Sequence, residues 1–166
     1  MNLNVRHTFP CTADVFWQMF WDEEYDAMIS KSAGVTREAL WDRQEGSDRV
    51  WRMRFTPDQE LPAMVAKAVG TNKLVYEQQS RLDANNVLHW EVFPAVVPDK
   101  VTAKGTMRIQ EHARGVDRIV DGEITVRIPL IGGRIEKAIH KSVVDSYEKA
   151  AESSLQWLSQ RDLKLA

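Results

Sequence analysis

Two residue pairs in the sequence have types and spacings that could carry chemistry. His89 and Glu91 are two residues apart in a strand-like stretch, so both side chains share one face and could act as acid and base. Gly132 and Gly133 precede the longest helical pattern, where a glycine-rich turn could bind a phosphate. Simpler interpretations are favoured for both. His89 and Glu91 would face solvent while Trp90 points inward, and the glycines would allow a sharp turn, because no phosphate-binding glycine motif is present.

The remaining reactive side chains form no recognisable catalytic or metal-binding pattern. The four histidines lack the spacing of a helical zinc motif. Cys11, the single cysteine, follows Pro10 and has no accompanying pattern of histidine and acid. The sequence therefore predicts no metal site, no cofactor and no catalytic residue.

Composition limits the class of protein. A chain of 166 residues with 43% hydrophobic residues fits one domain over residues 1–166. Its 22 basic and 24 acidic residues are mixed along the chain, which argues against nucleic-acid binding. No apolar run approaches the roughly 20 residues that span a bilayer, so we expect a soluble, cytoplasmic protein.

The elements that must position these residues follow from hydrophobic periodicity. Alternation predicts strands, and a period of three to four residues predicts helices. The predicted order is a strand over 2–9, a helix from Ala13 capped by Thr12, a helix over about 22–31, strands over 35–44 and 48–55, a helical insertion over 59–70, strands over 72–82, 87–97, 101–112 and 116–128, and a long helix.

This order predicts an α+β helix-grip fold. Parallel neighbours would need crossover connections, and only one helical insertion interrupts the strands after residue 34, so the seven-stranded sheet must be largely antiparallel. Two short helices follow the first strand. The long C-terminal helix must cover the remaining apolar face of a curved sheet, using Ile135, Ile139, Val143, Tyr147, Ala150 and Leu158.

Three stretches carry a resemblance to a known superfamily: "FPCTADVFWQMF", "VTAKGTMRI" and "GEITVRIPLIGGRIEKAI". With the element order, they make the whole chain similar to the START-like superfamily, which includes polyketide cyclases, dehydrases and lipid-transport proteins. The third stretch most resembles an uncharacterised bacterial family within it. The resemblance implies a cavity between the sheet and the long helix that holds lipids, sterols, polyketides or hormones.

The resemblance and the apolar alternation together indicate the cavity walls. We expect the walls to be Trp41, Trp51, Met53, Phe55, Tyr76, Trp90, Met107, Ile109, Ile124, Val126, Ile139, Val143 and Tyr147. Taken separately, each of these residues is more simply explained as an ordinary core residue. The insertion over 59–70 places Leu61, Met64 and Val65 on one stripe, which predicts a lid, with transient membrane contact at most.

Three functions remain open at this point. The favoured one is a non-enzymatic carrier or sensor that binds a hydrophobic small molecule, lipid, sterol-like or polyketide-like, in the cavity. The second is a cyclase or dehydrase acting in the same cavity, with His89, Glu91 or Tyr76 steering proton transfer. The third is a protein-interaction module with a solid core. The sequence favours a binding protein over an enzyme, and it does not indicate an oligomeric state.

Overall fold

The computed structural model describes residues 1–165. The chain forms β1 (Asn2–Phe9), α1 (Ala13–Phe20), α2 (Glu23–Ala33), β2 (Val35–Glu45), β3 (Asp48–Pro57), α3 (Ala63–Val69), β4 (Tyr76–Leu82), β5 (Leu88–Pro94), β6 (Val101–His112), β7 (Gly115–Val126) and α4 (Gly132–Gln160). The predicted element order is thereby confirmed. Among the helices of residues 1–165, none is long and apolar enough to cross a membrane.

The seven strands form one antiparallel sheet in the order β1-β7-β6-β5-β4-β3-β2. Strands β2 to β7 are joined as successive neighbours, while β1 pairs with β7 at the opposite edge. The two short helices connect these edges, since they lie between β1 and β2 in the chain. The sheet therefore has one inner face, which we define as the face that carries α4.

Local capping fixes where the short helices begin and end. The Thr12 side chain accepts a hydrogen bond from the Val15 amide at 3.3 Å, as predicted, and Asp22 caps α2 through the Tyr25 amide at 2.8 Å. Gly34 ends α2 with a φ of 63°, a conformation that suits glycine, and β2 starts at the next residue.

Helix α4 packs mainly against α2, β7 and β1 rather than across the centre of the sheet. Its C-terminal part closes a solid core, in which Phe9, Val120, Trp157 and Leu158 are buried almost completely. The indole nitrogen of Trp157 donates to the Asp22 carboxylate at 3.0 Å, which joins the end of α4 to the start of α2. This off-centre position leaves the inner faces of β3 and β4 without a helix directly on them.

A β-bulge in β2 corrects one predicted wall residue. Ala39 pairs with Met53 but Trp41 pairs with Arg52, so two residues of β2 oppose one step of β3. The extra residue reverses the alternation beyond Leu40, and Trp41 therefore lies on the outer face, where the Arg43 guanidinium stacks on its ring at 4.3 Å. The prediction that Trp41 lines a cavity is wrong.

Candidate functional site

Helix α4 does not pack closely on strands β3 to β5, and we call the incompletely covered part of the inner face between them the groove. The side chains that line it are only half-buried, although they lie on the face that a covering helix would be expected to seal. They are Trp51, Met53, Phe55, Tyr76, Gln78 and Val92 on the sheet, and Ile139, Val143 and Tyr147 on α4. Met53, Phe55 and Tyr76 pack into neither of the two clusters of buried hydrophobic residues.

Two tyrosines locate the groove in the interior rather than at the surface. Burial raises the pKa of Tyr76 to about 12, and burial also raises the pKa of Tyr147. Both side chains nevertheless retain solvent-accessible surface. The two rings are therefore enclosed by surrounding atoms but not sealed, in contrast to Trp157, which is completely buried.

Aromatic contacts give the groove a stiff apolar wall. The rings of Phe55 and Tyr76 stack with centroids 5.0 Å apart and an angle of 6° between their planes. Trp51 packs edge-on against Phe20 and Trp21, with centroids 6.3 Å and 5.1 Å away. Phe20 at the end of α1 and Trp21, the next residue, therefore position one end of the wall.

The inner face of β5 to β7, which we call the floor, depends on the paired glycines of β6 and β7. A Cβ atom on Gly105 would lie 2.7 Å from Cζ2 of Trp90, and one on Gly122 would lie 2.6 Å from the same atom. Gly105 and Gly122 also face each other across the two strands. The glycines thus make room for the Trp90 indole on the inner face, a role that strand bending alone would not require.

Two shallow concavities lie at opposite ends of the inner face. One, of about 410 Å³, is lined by the β7–α4 connection and includes Val126. The other, of about 300 Å³, lies between α1, the β4–β5 turn and β6, and includes Ile109. Val126 pairs with Val101, which is eight residues from Ile109 on β6, or about 26 Å along the strand.

Helix α3 packs at the first of these ends. Val65 contacts the small cluster formed by Val101, Val126 and Ile135 at the start of α4. Met64 points outward with 55% of its surface exposed, and its sulfur lies 3.8 Å from the Arg134 guanidinium. Leu61 is half-buried. The three residues of the predicted lid are therefore placed differently, and only Val65 reaches this cluster.

The other predicted wall residues lie on the inner surface. Trp90, Met107, Ile124 and Val126 are buried in the floor, while Ile109 is half-buried near the second concavity. Their cross-strand partners place them on the same face as Trp51, Met53 and Phe55.

The His89 and Glu91 pair and Cys11 do not face the groove. His89 and Glu91 are exposed on the outer face, where His89 Nε2 lies 2.9 Å from an Asp83 carboxylate oxygen, while Trp90 points inward. Cys11 is completely buried, and burial raises the pKa of its thiol to about 11. The thiol is therefore kept protonated and unreactive.

The glycine pair allows a close approach of the backbone at the turn, as the simpler interpretation predicts. Only Gly132 is needed for this approach. A Cβ atom on Gly132 would lie 2.4 Å from the Val126 carbonyl oxygen, whereas one on Gly133 would meet nothing within 4 Å. The Gly132 amide donates to the Ile128 carbonyl at 2.8 Å, which tightens the turn into α4.

Two inward-pointing arginines were not predicted from the sequence. Arg37 lies at the groove, where it forms an ion pair with Asp26 and its guanidinium lies 5.3 Å from the centre of the Phe55 ring. Arg118 is buried on β7. The sequence does indicate that Arg118 points inward, because Arg118 lies between Val116 and Val120 in the alternation that defines the inner face.

The antiparallel sheet, its strand order and the long C-terminal helix define a helix-grip fold, and comparison with known proteins places the chain in a family. Residues 4–158 match the model of DUF2505, described as a protein of unknown function, and the chain belongs to that family. Comparison with curated proteins returns no match.

Solved structures share the fold at low sequence identity. The Zhui aromatase/cyclase from Streptomyces sp. R1128 is 14% identical with a TM-score of 0.67, and the alignment covers 98% of this chain and 95% of the other. A protein from Thermus thermophilus is 15% identical with a TM-score of 0.65, covering 94% and 98%. A START superfamily protein from Mycobacterium smegmatis is 13% identical with a TM-score of 0.60, covering 96% and 98%.

Proposed function

We propose that this protein binds a hydrophobic small molecule in the groove between α4 and strands β3 to β5, as a carrier or sensor. The observation that carries the proposal is the half-buried lining around Tyr76 and Tyr147, which are deep in the molecule yet accessible. The aromatase/cyclase and START superfamily likenesses support the fold class to which such binding belongs.

The lining favours burial over polar recognition. Trp51, Met53, Phe55 and Val143 present apolar surface, and each Å² that a ligand covers is worth about 25 cal/mol. Such a lining suits an elongated or polycyclic molecule such as a lipid, a sterol-like or a polyketide-like compound.

Binding without catalysis fits the placement of the reactive groups. His89 and Glu91 lie on the outer face, so they cannot act on a molecule in the groove. Tyr76 does line the groove, but its raised pKa keeps the phenol protonated at neutral pH. A tyrosine in this state can donate a hydrogen bond to a ligand oxygen without removing a proton from it.

The proposal is tested by filling the groove. Val143 is half-buried and points into it, whereas its neighbour Ser142 is exposed. We expect Val143→Trp to weaken binding of a fluorescent fatty-acid analogue by about tenfold or more, because the indole occupies the ligand's volume, and Ser142→Trp to leave the affinity unchanged. Fluorescence titration of the three proteins measures this.

Thermal unfolding of the same variants separates a hollow groove from a solid core. A Trp that enters free space should leave the melting temperature of Val143→Trp near that of wild type, whereas overpacking a filled core costs about 1–3 kcal/mol. Loss of stability together with no probe uptake by wild type would overturn the proposal and favour the interaction module.

A further inference from the structure

Arg118 is the only buried arginine among residues 1–165. It lies on β7 with 4% of its surface exposed, between His7 on β1 and Ile109 on β6. The Arg118 guanidinium is flanked by two aromatic rings, with centroid distances of 5.1 Å to Phe9 and 4.9 Å to Tyr147. Tyr147 lines the groove on α4, so the cation lies next to one residue of that lining.

The hydrogen bonds of Arg118 leave its charge without a direct carboxylate partner. Nη2 donates to His7 Nδ1 at 3.1 Å and to the Tyr147 carbonyl at 3.2 Å, while the buried Nε has no hydrogen-bond partner. Within the described part of the chain, no carboxylate forms an ion pair with this guanidinium. By contrast, the inward-pointing Arg37 is neutralised by Asp26.

The nearest compensation is indirect. Arginine can only donate, so His7 Nδ1 must accept from Arg118 and the His7 proton resides on Nε2, which lies 3.0 Å from Glu148 Oε1. Glu148 is 62% exposed, so its charge is largely screened by solvent. Burying a cation with so little compensation is costly, and burial lowers the pKa of Arg118 accordingly.

Two tyrosines complete the surroundings of this cation. Tyr25 and Tyr147 both influence Arg118 electrostatically, and the Tyr25 hydroxyl lies 2.9 Å from Ser154 Oγ. A guanidinium that lies between the Phe9 and Tyr147 rings and next to the groove suits an amphiphilic acid, since the apolar body is buried and the acid receives charged hydrogen bonds.

We propose that the ligand is an amphiphile with a carboxylate and that Arg118 binds that carboxylate. This inference rests on the proposed function, because the apolar body of the same molecule occupies the groove. The ligand carboxylate supplies the counter-charge that Arg118 lacks. The apolar chain or ring system of the ligand extends past Tyr147 toward Tyr76 and Phe55.

A matched pair of ligands tests the inference on the wild-type protein. Hexadecanoic acid and hexadecanol have the same apolar chain and differ in the head group, and each is titrated by displacement of a neutral fluorescent probe. We expect the ionised acid to bind about tenfold or more tightly than the alcohol, since a charged hydrogen bond replaces a neutral one. Equal affinities would overturn this inference alone, whereas binding of neither ligand would overturn the proposed function and this inference together.

Two variants then assign the preference to one arginine. Arg118→Gln should bind acid and alcohol within about twofold of each other while keeping the wild-type affinity for the alcohol. Arg37→Gln should retain the preference for the acid, because Arg37 is already paired with Asp26. A preference that persists in Arg118→Gln, or is lost only in Arg37→Gln, overturns the assignment.

If Arg118→Gln does not fold, Arg118→Lys replaces it. The lysine keeps the charge but shortens its reach, so a weakened preference is expected, and an unchanged preference overturns the assignment.

Discussion

At the scale of single residues, Gly132 and Gly133 make a matched pair. A methyl group on Gly132 would collide with the Val126 carbonyl, while one on Gly133 would project into open space. Gly132→Ala should therefore lower the free energy of unfolding by about 1–3 kcal/mol. Gly133→Ala should be neutral or slightly stabilising, because alanine favours a helix more than glycine does. Urea unfolding of both variants measures the difference, and equal losses would contradict this account of the turn.

Residue-level prediction from the sequence succeeded where simple alternation holds. Trp51, Met53 and Phe55 lie on the inner face because no irregularity interrupts β3. Trp41 was misplaced because a bulge adds one residue to β2, and nothing in the letters around Leu40 marks it. Arg118 fitted the alternation of β7, but its partners lie on β1 and α4, and periodicity does not show which elements meet there.

At the scale of elements, β1, β6 and β7 are joined by one carboxylate. Asp117 on β7 accepts from Thr8 Oγ1 at 2.6 Å and from Arg6 Nε at 3.0 Å, and its Oδ1 lies 3.0 Å from His112 Nε2. The hydrogen bonds from Thr8 and Arg6 hold the pKa of Asp117 far below its usual range.

This ionised cluster predicts a pH-dependent contribution to stability. A carboxyl whose pKa is lowered by folding stabilises the protein above its unfolded pKa of about 3.9, and the contribution is lost as pH falls toward the folded value. Asp117→Asn should therefore be destabilised by about 1–2 kcal/mol at pH 7, and the deficit should narrow below about pH 4. Urea unfolding of both proteins across this range is the measurement, and a deficit that stays constant with pH would show that the charge is not the cause.

Helix α3 is the element that we propose as a lid over the first concavity. Val65 packs against the start of α4, while the adjacent Met64 is exposed. Val65→Ser should loosen α3 and speed ligand dissociation severalfold, and Met64→Ser should not, because Met64 is exposed and does not pack in the cluster of Val101, Val126 and Ile135. Stopped-flow release of a bound fluorescent fatty acid compares the two. Unchanged dissociation rates in both variants would count against the lid.

The elements themselves could be predicted because their signals are local. Thr12 caps α1, hairpin-type turns join most of the strands from β2 to β7, and the strand ends agree with the observed ones to within a few residues. The packing of α4 could not be predicted, because periodicity gives the apolar stripe of a helix but not the strands on which that stripe lies. Its position over β1 and β7 is a property of the whole sheet.

At the scale of the whole molecule, the interior is packed solidly in one part and less completely in another. Trp157, Leu158 and Phe9 fill the space where α2, α4 and β1 meet, whereas Met53 and Tyr76 pack against neither cluster of buried hydrophobic residues. Composition could not distinguish these parts, because the same residue types serve as core in one and as lining in the other. The division suits a protein whose fold is stable without a ligand and whose groove remains available for one.

The most direct test of ligand binding in the groove is native mass spectrometry of the protein as purified, followed by solvent extraction of bound molecules. Wild type and Ser142→Trp should each carry one apolar molecule per chain, and Val143→Trp should carry none. The account would be contradicted if wild type were empty and remained empty after exposure to fatty acids and sterols, or if Val143→Trp retained the same bound molecule.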